Sequence, residues 1–368
     1  KTLGRMTDGQ YQTYWASSSG SYAYVEIEAE ESVGGLYVQF YEDIAALEVQ
    51  ITDDAGAWRT VAVSGGSFLN EYIALDAGTE TVRIRPKDGK GRLFIAELHV
   101  FGEGDAPDWV QQWEAPLDKA DLLALAAHPD DELLFLGGTI PYYAGEMGRK
   151  VQVAYLVPTM PYRRLELLDG LWLCGVKNYP MIGHFPDKYQ LTLKGMYAQK
   201  GWSRESVYRF VAETYRACRP DVVVTQDVNG EYGHGAHKLC ASVAQYCVER
   251  TSDEAFMPES AEKWGTWCVK KLYLHLGREN TVTMDWRVPL SSMGGKTGLE
   301  LAQEAYAFHI TQHKTSFAVT DEGRTSNAKF SLVYSSVGED SIGGDFFEHI
   351  SPDDQNASDA ETESTPTP

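Results

Sequence analysis

Two short segments carry residue types able to do hydrolytic chemistry. The first is Ala126-Ala127-His128-Pro129-Asp130-Asp131-Glu132, in which one imidazole is followed at once by adjacent carboxylates. Such a group can supply two metal ligands and a general base. The competing interpretation is a loop whose aspartates merely cap the next helix. The second segment is Asp227-Val228-Asn229-Gly230-Glu231-Tyr232-Gly233-His234-Gly235-Ala236-His237. Its glycines let the backbone fold tightly around a ligand, and His234 and His237, three apart at a helix start, can face one pocket. Together the segments offer His, His and carboxylate, a known set for catalytic zinc, which keeps a position open for water. Zinc would draw the pKa of that water towards ~7. A nearby carboxylate would take its proton and return it to a leaving amine, and a second, protonated His would stabilise an oxyanion.

Elements to position these segments are readable around them. Asp121–Ala127, Val151–Val157 and the β-branched Val222–Thr225 are expected as buried strands, and Leu133–Met147 as a helix. Val207, Phe210, Val211, Thr214, Tyr215 and Cys218 repeat at a helical period that Arg219-Pro220 ends, and Cys240, Val243, Ala244, Cys247 and Val248 stripe another helix. Strands alternating with helices predict a Rossmann-like α/β domain with a mostly parallel sheet covered on both faces. Ligands of such sheets bind beyond the carboxyl ends of the strands, where both segments lie.

Residues 1–104 read differently. Short apolar runs at Tyr22–Ile27, Gly35–Tyr41, Leu47–Thr52, Trp58–Val63, Thr81–Arg85 and Leu93–Phe101 alternate with Gly- and Asp-rich turns, the pattern of an antiparallel β-sandwich. The expected organisation is therefore multidomain: a sandwich over 1–104, a linker over 105–120 around the Gly/Pro/Asp stretch Gly102–Asp108, and an α/β domain over 121–349. Residues 350–368, rich in Ser, Thr, Pro and acids, are expected to be a disordered tail, either the start of a wall-anchoring stalk or a ragged end.

A net charge of −21 over 368 residues argues against nucleic acid as a partner and against an anionic membrane surface. No apolar run reaches the ~20 residues of a membrane span. A neutral or cationic partner such as a glycan fits better. The five cysteines form no CxxC pair, so neither a cysteine zinc knuckle nor a disulfide framework is expected. The chain starts at Lys1 without an initiator Met. The expectation is a mature or trimmed form, so the missing signal peptide does not argue for the cytosol. An extracellular or cell-surface location is expected, with a cytoplasmic one left open.

The two segments together resemble the PIG-L/LmbE-like de-N-acetylases, which carry an AHPDDE motif after their first strand and a late GHxDH-type motif. The resemblance runs over roughly residues 121–335. Arg163, Glu166 and Cys174-Gly175-Val176 are similar to an intermediate pattern of that family, Arg219–Thr225 to the strand before the second motif, and Tyr306, His309 and Gln312 to a late helix. Carried over by position, the resemblance makes His128, Asp131 and His237 ligands of one zinc ion per chain. It makes Asp130 the general base and His234 the oxyanion-stabilising acid. Arg163 (or neighbouring Arg164), Asp187, Tyr232 and His309 become substrate-binding residues, Tyr232 as a mobile one. For Arg163 and Glu166 an ordinary surface ion pair is the plainer alternative. Ala236 stands where the family often has an acid that orients the imidazole of His234, a part left to Asp227 or Glu231.

Met6–Ser17 and Leu93–Val100 resemble the opening and a late strand of discoidin-like, coagulation-factor C-type sandwiches, which often bind carbohydrate. Some members hold a structural Ca2+ near an Asp-Gly turn, here Asp8-Gly9, which implies such an ion here too. The function these resemblances imply is removal of an N-acetyl group from an amino sugar, with a glycan-targeting module that small soluble substrates do not require. The alternatives are an amidase on a non-sugar N-acyl compound and a glycan-binding surface protein with little catalysis.

Overall fold

The computed structural model describes residues 3–20, 23–42, 46–76, 79–87, 89, 91–340 and 344–350. Nearly all of the tail expected to be disordered lies outside them. In chain order the strands are β1 (Trp15–Ala16), β2 (Val25–Glu28), β3 (Gly35–Phe40), β4 (Leu47–Thr52), β5 (Trp58–Val63), β6 (Asn70–Ala74), β7 (Thr81–Pro86), β8 (Phe94–Phe101), β9 (Leu122–Ala126), β10 (Val151–Tyr155), β11 (Met181–Ile182), β12 (Val222–Thr225), β13 (Lys271–His275), β14 (Thr281–Thr283) and β15 (Lys329–Ser335). The α-helices are α1 (Asp131–Leu134), α2 (Pro161–Leu173), α3 (Leu193–Tyr197), α4 (Arg204–Cys218), α5 (Gly235–Val248), α6 (Pro258–Trp264) and α7 (Gly298–Ala307). Among the described residues no helix is long and apolar enough to cross a membrane.

Two compact units result, and neither is one continuous stretch of chain. The first gathers residues up to 115 with 159–179 and 307–316; the second gathers 116–158, 180–306 and the chain from 317.

The first unit contains two four-stranded antiparallel sheets, ordered β1-β8-β3-β6 and β2-β7-β4-β5. Alternation along β7 buries Val82 and Ile84 and leaves Arg83 and Arg85 partly exposed, the period a half-buried strand requires. Strand β3 departs from this and is buried throughout, because its sheet is covered on both faces within the unit. Asn70, Gln39 and Glu97 face one another across β6, β3 and β8 and form a buried polar row. Each has a partner from the covering layer: Asn70 Nδ2 donates to Gln111 Oε1 (2.5 Å), Gln39 Nε2 donates to the Tyr11 hydroxyl (2.9 Å), and the Gln10 amide donates to Glu97 Oε1 (3.0 Å).

Helix α2 completes that layer. Asp169 accepts from the Tyr11 hydroxyl (2.7 Å) and from Gln111 Nε2 (2.5 Å). Glu166 is buried and takes the Thr311 amide (3.1 Å) and hydroxyl (2.7 Å), which ties the 307–316 segment to the same helix. The plainer expectation of a surface Arg163–Glu166 pair therefore fails for Glu166, which is an internal acceptor.

In the second unit a seven-stranded sheet runs β11-β10-β9-β12-β13-β15-β14. Strands β11, β10, β9, β12 and β13 are parallel, while β15 and β14 pair antiparallel. From β9 the chain first goes to β10 on one side and later returns to β12 on the other, so the order reverses between β9 and β12. This is the crevice where open α/β sheets hold ligands. Helices α4 and α5 pack Val207, Val211, Tyr215, Leu239, Cys240, Val243 and Cys247 against Leu123, Leu125 and Val223. Helix α4 ends at Arg219, whose left-handed φ of 43° precedes Pro220.

The helix expected over Leu133–Met147 is broken. Helix α1 ends at Leu134, and a separate wide helical turn spans Pro141–Glu146. Gly137 lies between them at φ 55°, where a Cβ would meet the Asn327 side chain at 2.5 Å. Its left-handed backbone and the missing amide of Pro141 account for the break.

Candidate metal centre

Strands β9 and β12 are adjacent and parallel, with Leu125 opposite Thr225, so the loops after them leave the sheet side by side. Gln226 Oε1 accepts the Ala127 amide (2.9 Å) and ties the two exits together. From the first loop, His128 and Asp131 turn back on each other: Asp131 Oδ2 takes the His128 amide (2.8 Å) and lies 3.1 Å from His128 Nδ1. Asp130 sits between them at φ 114°, a strained conformation for a side-chain-bearing residue. Its amide donates to Glu132 Oε2 (2.9 Å). Burial pushes the Glu132 carboxyl up to about 8.

The second loop brings His237 in from the first turn of α5. His237 Nε2 lies 3.3 Å from Asp131 Oδ2, and its Nδ1 lies 2.6 Å from Glu231 Oε2. His237 is wholly buried, and Nε2 has no hydrogen-bond partner among the described residues. Burial works to raise the Asp131 carboxyl, and the charge of His237 and the hydrogen bond from His128 overrule it, holding Asp131 well below the usual carboxylate range. Burial works to lower the His237 imidazole, and Asp131 and Glu231 on either side lift it to about 10. The place between these carboxylates attracts positive charge.

His234 caps α5. Its Nδ1 accepts the Ala236 amide at 3.2 Å, which requires a lone pair on that nitrogen. Burial, then the neighbouring His128 and His237, push His234 down to about 4. The protonated form expected for this residue is thus disfavoured here, and the neutral ring carries its hydrogen on Nε2. Neither Glu231 nor Asp227 orients it: Glu231 is engaged by His237 and His275, and Asp227 Oδ1 takes the amide and side chain of Asn229. The backbone of Ala236 supplies the contact that its side chain lacks.

Donor nitrogens of His128, His234 and His237 lie within 4.8 Å of one another. The oxygen of Asp131 fits more tightly. Two ligands ~2.0–2.1 Å from a tetrahedral zinc ion lie ~3.3 Å apart, and Asp131 Oδ2 is 3.1 Å and 3.3 Å from its two imidazole neighbours. With the orphaned Nε2 of His237, this donor set fits a small divalent cation. Among the described residues no second group of three or more such side chains gathers in this way. The Ca2+ expected near Asp8-Gly9 is therefore not supported. Asp8 instead takes the Gln10 amide (3.0 Å) and the Thr13 hydroxyl (2.7 Å).

Of the expected substrate-binding residues, Tyr232 and Asp187 join the cluster. The Tyr232 ring lies 5.0 Å from that of His237, and Asp187 Oδ1 lies 3.8 Å from His128 Nε2 with its side chain half exposed. Arg163, in the first turn of α2, and the buried His309, just after α7, belong to the first unit. Sequence reasoning missed His275. It closes β13 beside the second loop, and its only signal is a His at the carboxyl end of the apolar run Leu272-Tyr273-Leu274. Phe135, whose ring lies 5.6 Å from His237 and 5.9 Å from His275, was also missed.

Comparison with known proteins gives a family match. The family model described as GlcNAc-PI de-N-acetylase (PIG-L) matches residues 123–248. A 1D-myo-inositol 2-acetamido-2-deoxy-alpha-D-glucopyranoside deacetylase of Geodermatophilus obscurus is 30% identical over 49% of this chain and 72% of its own. A protein of the same name, numbered 1, from Catenulispora acidiphila is 28% identical over 43% of this chain, which spans 56% of that relative's length. Among solved structures, N,N'-diacetylchitobiose deacetylase from Pyrococcus horikoshii covers 58% of this chain and 82% of its own, at 18% identity and a TM-score of 0.39. A pectin-binding carbohydrate-binding module covers 28% of this chain and 82% of its own, at 16% identity and a TM-score of 0.23. The chain belongs to the PIG-L, or GlcNAc-PI de-N-acetylase, family.

Proposed function

We propose that this protein is a zinc-dependent hydrolase that removes the N-acetyl group from an N-acetylated amino sugar. The observation that carries the proposal is that Asp131 Oδ2 lies at tetrahedral-edge distance from both His128 Nδ1 and His237 Nε2, with the His234 ring beside them and Asp130 next to Asp131 in the chain. The names of the family relatives supply the substrate class. His128, Asp131 and His237 would hold one metal ion per chain. When bound, zinc acidifies water and polarises a carbonyl oxygen.

The chain's own residues do the rest. Asp130 takes the proton of the attacking water and returns it to the departing amine. The Nε2–H of neutral His234 donates to the acetyl oxygen as charge grows on it, its ring held by the Ala236 amide. Tyr232 and Asp187 flank the imidazoles and contact the sugar. Arg163 and His309 are assigned to substrate binding on the family resemblance alone. The sandwich is proposed to bind glycan, and the protein to act outside the cell or at its surface.

The test is acetate release from N-acetylglucosaminyl compounds and from N-acetyl amines without a sugar, with zinc measured on the same sample. Hydrolysis restricted to the sugars, with about one zinc per chain, is expected. Equal hydrolysis of both classes would make the enzyme a general amidase. Glycan binding without hydrolysis by zinc-loaded protein would overturn the proposal.

A further inference from the structure

A metal-binding imidazole presents one ring nitrogen to the ion and needs a partner for the other, which sets tautomer and ring direction. At His237 that partner is Glu231 Oε2, 2.6 Å from Nδ1, with both side chains withdrawn from water. The other oxygen of Glu231 is also engaged: Oε1 takes the Asp227 amide (2.9 Å) and lies 3.1 Å from His275 Nδ1. His275 is fixed in turn, its Nε2 lying 3.0 Å from the Ser326 carbonyl. The chain of contacts thus runs from Ser326, through the end of β13, to the loop after β12 and into α5.

We propose that Glu231, braced by His275, is the positioning residue that holds His237 with Nε2 aimed at the metal. With both oxygens occupied by neighbours, Glu231 is not itself a ligand. Glu231 enters from the loop and His275 from the sheet, so the direction of the ring is tied to the rigid part of the unit rather than to the loop alone. A carboxylate partner also makes the imidazole a stronger donor. The inference rests on the proposed metal site and is independent of the substrate.

The experiment uses the full chain with Glu231→Gln, Glu231→Ala and His275→Gln. Zinc affinity is read by competition with a chromophoric chelator, and ligand geometry by the visible spectrum of the cobalt-loaded protein. Folding of each metal-free variant is checked by circular dichroism. Both Glu231 variants are expected to fold and to bind zinc ~10–100-fold more weakly, with an altered cobalt spectrum. His275→Gln is expected to do the same to a smaller degree. Folded Glu231 variants with parental zinc affinity and an unchanged cobalt spectrum would overturn the inference. So would a Glu231→Gln protein that unfolds without metal, since Glu231 would then be a structural group. If the parent binds zinc and the variants bind it equally, only this inference fails; if the parent binds none, the metal site fails with it.

Discussion

Glu231 in the second unit and Asp169 in the first are both carboxylates with every strong contact internal, yet they settle on opposite sides. Glu231 is held down to about 2; burial opposes this, and His237 and His275 overcome it. Asp169, whose carboxyl is equally enclosed, is pushed up to about 7 by burial, against hydrogen bonds from Tyr11 and Gln111 that do not compensate. Depth does not decide the outcome; the partner's charge does. Imidazoles stabilise the charged form, while a phenol and an amide stabilise it too little. One arrangement suits a place where positive charge must gather. The other suits a joint between secondary-structure elements, where a neutral acid serves well enough.

The largest test of this contrast is to remove the charge at the centre and nowhere else. Asp131→Ala should leave zinc content near zero by mass spectrometry. Asp130→Asn should keep zinc and lose ~10²–10⁴-fold in kcat. Zinc lost from the Asp130 variant and retained by the Asp131 variant would exchange the two roles.

Next in size is deletion of residues 1–104, which takes Tyr11 and eight strands from the unit that also contains 159–179 and 307–316. The remaining chain should melt ~5–10 °C lower and should lose hydrogen-exchange protection in 159–179. Full protection there would show that α2 folds without the sandwich, in keeping with a module that small substrates do not need.

A smaller effect concerns pH. The folded value of Asp169 lies above its ordinary ~3.9, so its favourable contribution is complete below about pH 4 and is lost as pH rises to about 7. Glu231 has the reverse sign: in metal-free protein its contribution is complete above about pH 4.3 and is lost as pH falls towards 2. At 1.36 kcal/mol per pKa unit, Asp169→Asn should remove no more than ~4 kcal/mol of that slope, measured by urea unfolding at pH 4 and 7. An unchanged slope would mean that Asp169 is ionised in the folded protein.

Smallest is Tyr11→Phe, which deletes a hydroxyl that donates to Asp169 and accepts from Gln39. The expected loss is ~1–2 kcal/mol, with zinc affinity untouched. A change in zinc binding would show that the two regions are not independent.

Much of this was legible from local pattern. The boundaries of β4, β5 and β12 follow from short apolar runs between turn residues, and both motif loops lie directly after the strands expected to carry them. Strand β6 was not legible, because Asn70 and Glu71 are poor strand formers held in place by contacts the sequence does not announce: Asn70 by Gln39 and Gln111, and Glu71 by the Ser67 and Phe68 amides. The break after α1 depends on contact between Gly137 and Asn327, distant in sequence. The same holds for the centre. His128, Asp131, His234 and His237 announce themselves in two short strings, whereas the pairing of Glu231 with His275 exists only once β12 and β13 are neighbours. The part expected of Glu231 shifted for that reason, from His234 to His237.

The first unit's non-contiguous make-up also bears on how the protein is born. Its eight strands are complete at Phe101 and Gln111 follows at once, but the rest of the covering layer waits for Asp169 and then for Thr311, about 210 residues beyond Phe101. At ~5–20 residues per second, translation takes roughly 10–40 s to deliver them. During that interval Asn70, Gln39 and Glu97 have their own partners, Gln111, Tyr11 and Gln10, but Tyr11 and Gln111 still lack the Asp169 carboxylate and remain open to water. A nascent unit with a hydroxyl and an amide on its unfinished side is well hydrated there and has little to offer a neighbouring chain on the same polysome.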